Sequence, residues 1–157
     1  MDATTKAIIE KITISYDQPT KIPGGHMCTV FYDCVQLSPA DLARLAAEAV
    51  GHLSQSYFDI AVGIAYSGIF FAAAVAGGRK AAILQTDGGI CGPSLSGSKV
   101  VIVSDVVYTG GELSRAEKII TEHGASVVGY ACIIDRSGGK VGSEAKPLWS
   151  AFETVLE

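Results

Sequence analysis

Residues 99–113 read KVVIVSDVVYTGGEL, and their interpretation decides the fold. Val100, Val101, Ile102 and Val103 form a β-branched apolar run without alternation. Such a run suits a strand buried on both faces, as in a parallel sheet. Ser104 and Asp105 are the first polar side chains, and they fall where that strand would end. Thr109, Gly110 and Gly111 then predict a tight turn before a helical pattern that begins near Glu112. Strand, polar tip, glycine turn and helix start make an anion-binding arrangement, because backbone N–H groups and the positive end of the helix dipole converge there. A carboxylate at the tip, Asp105, can accept hydrogen bonds from sugar hydroxyls or hold a hydrated Mg²⁺. The bland alternatives are a turn or capping carboxylate for Asp105 and a plain glycine connection for Thr109–Gly111.

On either side the chain repeats strand–helix units. Before the central stretch, residues 3–14 predict a short amphipathic helix and 16–25, with Pro19, Pro23, Gly24 and Gly25, a loop. Residues 28–37 read as a strand, and Ser38-Pro39 with Asp41 starts a helix running to about residue 53. Residues 58–64 form another apolar strand, followed by the turn Ala65-Tyr66-Ser67-Gly68 and an Ala-rich helix that stops at Gly77-Gly78. Residues 81–84 predict a short strand. Residues 86–98, TDGGICGPSLSGS, with four Gly, one Pro and three Ser, predict a mobile loop. After the central turn come a helix to about His123-Gly124, a strand over 126–134, and a last helix carrying Leu148, Trp149, Phe152 and Val155. This rhythm is that of an α/β fold with a parallel sheet, whose ligands sit at the carboxyl ends of the strands.

The composition narrows the function. A length of 157 residues suits one domain, 1–157, with a sizeable core. Apolar residues make up 48% against 18% charged, and the mean hydropathy is +0.34. A buried parallel sheet or an oligomer interface explains so little charge. A net charge of −4 without basic clusters argues against nucleic acid as a partner. No segment reaches the ~20 apolar residues of a membrane span. The start, MDATTK, lacks the basic and apolar regions of a signal peptide, so the expectation is a cytoplasmic protein. Cys28, Cys34, Cys91 and Cys132 show neither CxxC spacing nor a nearby His, which fits reduced thiols and no metal cluster. His26, His52 and His123 read as non-catalytic. Neither a P-loop nor a GxGxxG motif is present.

The central stretch resembles the phosphoribosyl-diphosphate (PRPP) motif of the type I phosphoribosyltransferases, a hydrophobic strand ending in two acids followed by Val-Val-Thr-Thr-Gly-Gly-Ser. Asp105, Val106, Val107, Thr109, Gly110 and Gly111 match, while Ser104, Tyr108 and Glu112 stand for an acid, a Thr and a Ser or Thr. Four further stretches are similar to the orotate phosphoribosyltransferases in the same order. They are Gly24-Gly25-His26 through Phe31-Tyr32-Asp33 in the hood, Gly63–Ile69 in the pyrophosphate loop, Ile134-Asp135-Arg136, and Pro147-Leu148-Trp149-Ser150.

The resemblance implies a parallel sheet flanked by helices with a small N-terminal hood, residues 1–37. It also implies transfer of phosphoribose from PRPP to a nucleobase in pyrimidine nucleotide metabolism, with Mg²⁺, in a homodimer. Asp105 would be the catalytic carboxylate on the ribose hydroxyls. The phosphorylated ribose would lie along Ser104, Asp105, Tyr108, Thr109, Gly110, Gly111 and Glu112, the pyrophosphate beside Tyr66, Ser67 and Gly68, and the base near Arg136, Phe31 and Tyr32. Tyr66, Phe31 and Tyr32 could equally pack in the core or at a dimer contact, and Arg136 could be a surface arginine. The family's flexible loop supplies Lys and His, whereas residues 81–98 contain no Lys, Arg or His. Arg79-Lys80 aligns with the loop's Arg-Lys pair only if residues 81–84 are loop rather than strand. Glu112 brings a carboxylate to the phosphate position, and two unit charges ~4 Å apart repel by about 1 kcal/mol in water. The alternative reading is a non-catalytic relative that binds PRPP or a nucleotide.

Overall fold

The computed structural model describes residues 1–154. Helix α1 (Ala3–Ile12) leads directly into β1 (Thr13–Lys21), which pairs antiparallel with β2 (Met27–Tyr32) to form the hood. The expected loop over residues 16–25 is therefore mostly strand. Pro19 is tolerated because β1 pairs on one side only and bulges between Ser15 and Thr20, where no ladder donor is required. The strand expected over residues 28–37 stops at Tyr32 and gives way to a 3₁₀ turn, Cys34–Gln36.

Helix α2 (Pro39–Val50) starts as its sequence dictates. Ser38 accepts a hydrogen bond from the Asp41 N–H at 3.1 Å, and the Asp41 carboxylate accepts one from the Ser38 N–H at 3.4 Å. There follow β3 (Ile60–Ile64), α3 (Gly68–Ala76), β4 (Lys80–Leu84), β5 (Ile90–Cys91), β6 (Lys99–Val103), β7 (Val106–Val107), α4 (Gly111–Glu122), β8 (Ser126–Asp135) and β9 (Leu148–Glu153). Residues 86–98 do not form a free loop. They fold back so that β5 pairs antiparallel with β4, and Leu95 is buried.

The main sheet runs β5-β4-β3-β6-β8, with β9 beyond β8, and every pairing except β4–β5 is parallel. Strands β6 and β7 lie end to end along one edge of β8, interrupted at Ser104-Asp105. Both faces of β6 are buried, as its unbroken apolar run predicts. Val101 and Val103 join the core under α2 and α3, while Val100 and Ile102 join the one under α4. The α/β architecture of a parallel sheet flanked by helices is thus the observed one.

The C-terminal expectation is wrong in type. Residues 148–153 form a parallel strand on β8 rather than a helix, and Val155 lies outside the described residues. Apolar residues at 148, 149 and 152 fit a helical period, but the free edge of β8 offers unpaired N–H and C=O groups that outweigh it. Gly129 on β8 makes the pairing possible. A Cβ there would collide with the Trp149 ring and lie 3.0 Å from the Pro147 carbonyl oxygen. Gly129→Val is expected to destabilise the protein by about 1–3 kcal/mol. A lowered denaturant midpoint would show it, and an unchanged one would mean that Trp149 does not sit over this glycine.

Candidate active site

The strand order reverses direction between β3 and β6. From β3 the chain passes through α3 to β4 on one side, and from β6 through α4 to β8 on the other, leaving a crevice at the carboxyl ends of β3 and β6. Two glycines draw the walls together. A Cβ on Gly63 would lie 2.8 Å from the Gly68 carbonyl oxygen, and one on Gly68 would lie 2.6 Å from the Val103 carbonyl oxygen. Only glycine lets the start of α3 approach the end of β6 this closely.

After β6 the backbone bends instead of ending. The Ser104 N–H donates to the Ala131 carbonyl, and the Asp105 carbonyl accepts from the N–H groups of Ile133 and Ile134. The bend resumes pairing as β7, then turns at Thr109-Gly110, where Gly110 adopts a left-handed φ of 82°. The N-cap of α4 is Gly110, which offers no side-chain acceptor, while the Gly111 N–H donates to the Thr109 hydroxyl at 3.4 Å.

A cleft of about 670 Å³ opens here under the hood. Of the residues the sequence singles out, Phe31, Tyr32, Ser67, Asp105, Tyr108, Thr109, Gly110, Gly111 and Glu112 line it together. Ser104, Tyr66, Gly68 and Arg136 do not. Ser104 is buried beneath the bend, and Tyr66 points outward with 76% of its surface exposed. Arg136 is no surface arginine. It is 3% exposed, and its Nη1 donates to the Val30 carbonyl at 2.8 Å. Its guanidinium carbon lies 5.4 Å from the centre of the Tyr32 ring and 5.5 Å from that of Tyr108.

The charge in the cleft is acidic. Among its described lining residues the carboxylates are Asp33, Asp105 and Glu112, and there is no Lys or Arg. The Ser104 hydroxyl lies 3.4 Å from both Asp105 Oδ1 and Glu112 Oε2. One hydroxyl proton can serve only one of the two at a time. Burial, then the neighbouring Asp105 charge, pushes the Glu112 carboxyl up from the ordinary glutamate value, against weaker opposition from Ser104 and Arg115.

The Arg-Lys pair that might replace the missing loop cations is elsewhere. Lys80 opens β4 at the level of Ile60, four residues or roughly 13 Å from the carboxyl ends of the strands. Arg79 is held there too, stacked over Phe58 and donating to the Ser54 and Gln55 carbonyls.

Sequence reasoning passed over two contributors. His26 stacks on Tyr108, with ring centres 4.3 Å apart and planes inclined by 21°. The thiol of Cys34 lines the hood side, where burial raises its pKa and keeps it protonated. Neither has a periodicity that could reveal it. The only signal for His26 is its place in the hood stretch beginning Gly24-Gly25.

The phosphoribosyl transferase domain family matches at residues 85–152. An orotate phosphoribosyltransferase of Nocardioides is 30% identical over 98% of this chain and 94% of its own length. The chain belongs to the orotate phosphoribosyltransferase family. Another relative in the family, from Thermotoga maritima, is 30% identical over 87% of this chain and 78% of its own. The fold agrees as well. The orotate phosphoribosyltransferase of Mycobacterium tuberculosis, solved in complex with PRPP, superposes with a TM-score of 0.74 at 20% identity, covering 96% of this chain and 94% of that one. Among the described residues no helix is long and apolar enough to cross a membrane.

Glu112 gives a pH test. Its carboxyl has a higher pKa folded than unfolded, so the folded state holds the proton more tightly, and stability falls as pH rises above the ordinary glutamate range. Wild-type stability relative to Glu112→Gln is expected to decrease from about pH 4.5 upward until Glu112 is fully ionised. Denaturant midpoints measured from pH 4 to 8 would show it. Parallel curves would mean that Glu112 is solvated.

Proposed function

We propose that the cleft binds a phosphorylated ribose, and that its chemistry is the family's transfer of phosphoribose from PRPP to a nucleobase. The observation that carries this reading is the glycine-led start of α4, Gly110-Gly111, which lines one cleft together with Asp105. The first-turn amides and the Thr109–Gly111 backbone suit a 5′-phosphate. Asp105 suits the ribose hydroxyls, and the turn at Tyr66, Ser67 and Gly68 would flank the pyrophosphate. Phe31 and Tyr32 offer aromatic faces on the hood side, with Arg136 behind them.

In the transfer a base nitrogen bonds to C1 of the ribose as the bond from C1 to the pyrophosphate oxygen breaks; pyrophosphate carries the electron pair away, and the proton on that nitrogen is released to solvent. Positive charge grows on the sugar, where the Asp105 carboxylate can stabilise it. Negative charge grows on the leaving group. Mg²⁺ fits the donor set, since Asp105, Glu112 and the Ser104 hydroxyl are hard oxygen donors within reach of one another. Among the described residues no cluster of three or more metal-binding side chains occurs, so ligand phosphate oxygens would complete the coordination. The bound ion would neutralise charge on the phosphates and the acidic wall.

One specific observation favours a second reading, binding without turnover. Arg79 and Lys80 are fixed at the opposite end of the sheet, and residues 81–98 carry no cation to reach over the pyrophosphate, in this copy or a second one. A thermal shift with ribose 5-phosphate or PRPP in Mg²⁺ is expected for the wild type. Asp105→Ala is expected to weaken ribose 5-phosphate binding by about tenfold or more. Normal binding by that variant would mean that the ligand lies elsewhere. Pyrophosphate release with orotate, uracil or a purine base then separates the readings: turnover supports transfer, and binding without release supports the second.

The same proposal includes a homodimer built on α3. This helix is apolar all round, yet Tyr66, Phe70 and Ala73 face outward, with Phe70 60% exposed. Phe70→Lys is expected to convert the dimer to monomer in sedimentation without loss of helix content. A monomeric wild type would remove the dimer.

A further inference from the structure

A pyrophosphate departing from C1 is stabilised by positive charge beside it. Arg79, Lys80 and Lys99 cannot bring that charge, since they sit at the amino ends of β4 and β6. Arg136 is buried against the hood, and Lys140 lies in the loop after β8, on the side of the sheet away from β3. Arg115 differs. It stands one turn into α4, three residues after Glu112, and helical side chains tilt back toward the helix start. Arg115 is exposed, its Nη2 donates to the Thr86 carbonyl at 3.3 Å, and among the described residues it forms no ion pair. Thr86 follows β4. Because β4 pairs in parallel with β3, with Leu84 level with Ile64, Thr86 stands at the level of Tyr66, one strand away. The Ala65 N–H donates to the Leu84 carbonyl and keeps the two turns side by side. The guanidinium therefore lies at the carboxyl edge of the sheet, next to the turn Tyr66–Gly68. Its charge reaches the cleft, where it opposes the rise of the Glu112 pKa.

We propose that Arg115 holds the pyrophosphate of PRPP, exchanging its bond to the Thr86 carbonyl for phosphate oxygens. The proposal rests on the phosphorylated-ribose reading above and adds to it a residue for the leaving group. The bond to Thr86 is long and its acceptor is neutral. A phosphate oxygen is charged, and a guanidinium can present two parallel donors to it. An arginine on a helix thereby supplies the charge that residues 81–98 lack. Glu112 faces Ser104 instead, so the two ends of the ligand meet separate groups.

The test is titration calorimetry of the full chain in Mg²⁺ with PRPP and with ribose 5-phosphate, which differ by the pyrophosphate on C1. The wild type is expected to bind PRPP at least about tenfold more tightly. Arg115→Ala, at an exposed helix position where alanine is well tolerated, should cut that preference about fivefold or more and leave ribose 5-phosphate affinity within about twofold. Arg115→Lys should keep part of the preference. Arg115→Gln, which can still donate to Thr86 but carries no charge, should behave like Arg115→Ala. Equal binding of both ligands by the wild type overturns the proposal, as does a PRPP preference that persists in Arg115→Ala. Equal weakening of both ligands, or a wild-type preference in Arg115→Gln, also overturns it, since Arg115 would then only tie the Thr86 turn to α4. Absence of binding by both ligands overturns the underlying phosphorylated-ribose reading and this inference with it.

Discussion

The approach of α3 to the end of β6 is the contact on which the site depends. The Val103 carbonyl occupies the space a side chain on Gly68 would need, and the Gly68 carbonyl does the same to Gly63. Because neither glycine carries a Cβ, the turn after β3 and the bend after β6 can share one crevice. A bulkier residue at either position would push α3 away from the sheet and separate Ser67 from Asp105. The buried valine and isoleucine ladder of β6 is the platform for this contact, since it holds Val103 rigidly between two packed cores.

Electrostatics sets the second constraint. A cleft suited by its backbone to an anion is lined by three carboxylates and no Lys or Arg among the described residues. The dipole and amides of α4 attract a phosphate, while Glu112 in the same first turn repels one. Neutralisation has to come from a proton on Glu112 or from a cation that arrives with the ligand. Burial first and the neighbouring Asp105 charge second hold the Glu112 carboxyl above the ordinary glutamate range. Ser104 moderates that shift with a single hydroxyl proton.

The aromatic pair at the hood links this chemistry to the fold. Among the described residues the β1–β2 hairpin pairs with no strand of the main sheet, and side-chain contacts fasten it there. The His26–Tyr108 stack and the hydrogen bond from Arg136 to the Val30 carbonyl are two of them, and both lie at the cleft. The residues that shape the cleft therefore also anchor the hood. A substitution there acts on the position of the hairpin as well as on the cleft.

The sequence by itself determined the parallel sheet, the position of its central strand and the polar turn beyond it. These follow from local rules: an uninterrupted β-branched run must be buried on both faces, and a glycine turn before a helix exposes amide donors. Ser38, Pro39 and Asp41 likewise specified the start of α2 through bonds spanning three residues. Only the tertiary structure decided that residues 148–153 form a strand, because what holds them is the open edge of β8 and their own spacing says helix. It also decided that Arg136 is buried, that Arg79 and Lys80 lie at the far end of the sheet, and that His26 meets Tyr108. These contacts reach across as many as 106 positions. No local pattern encodes them, since they arise from how two layers of helices and a hairpin close around one sheet.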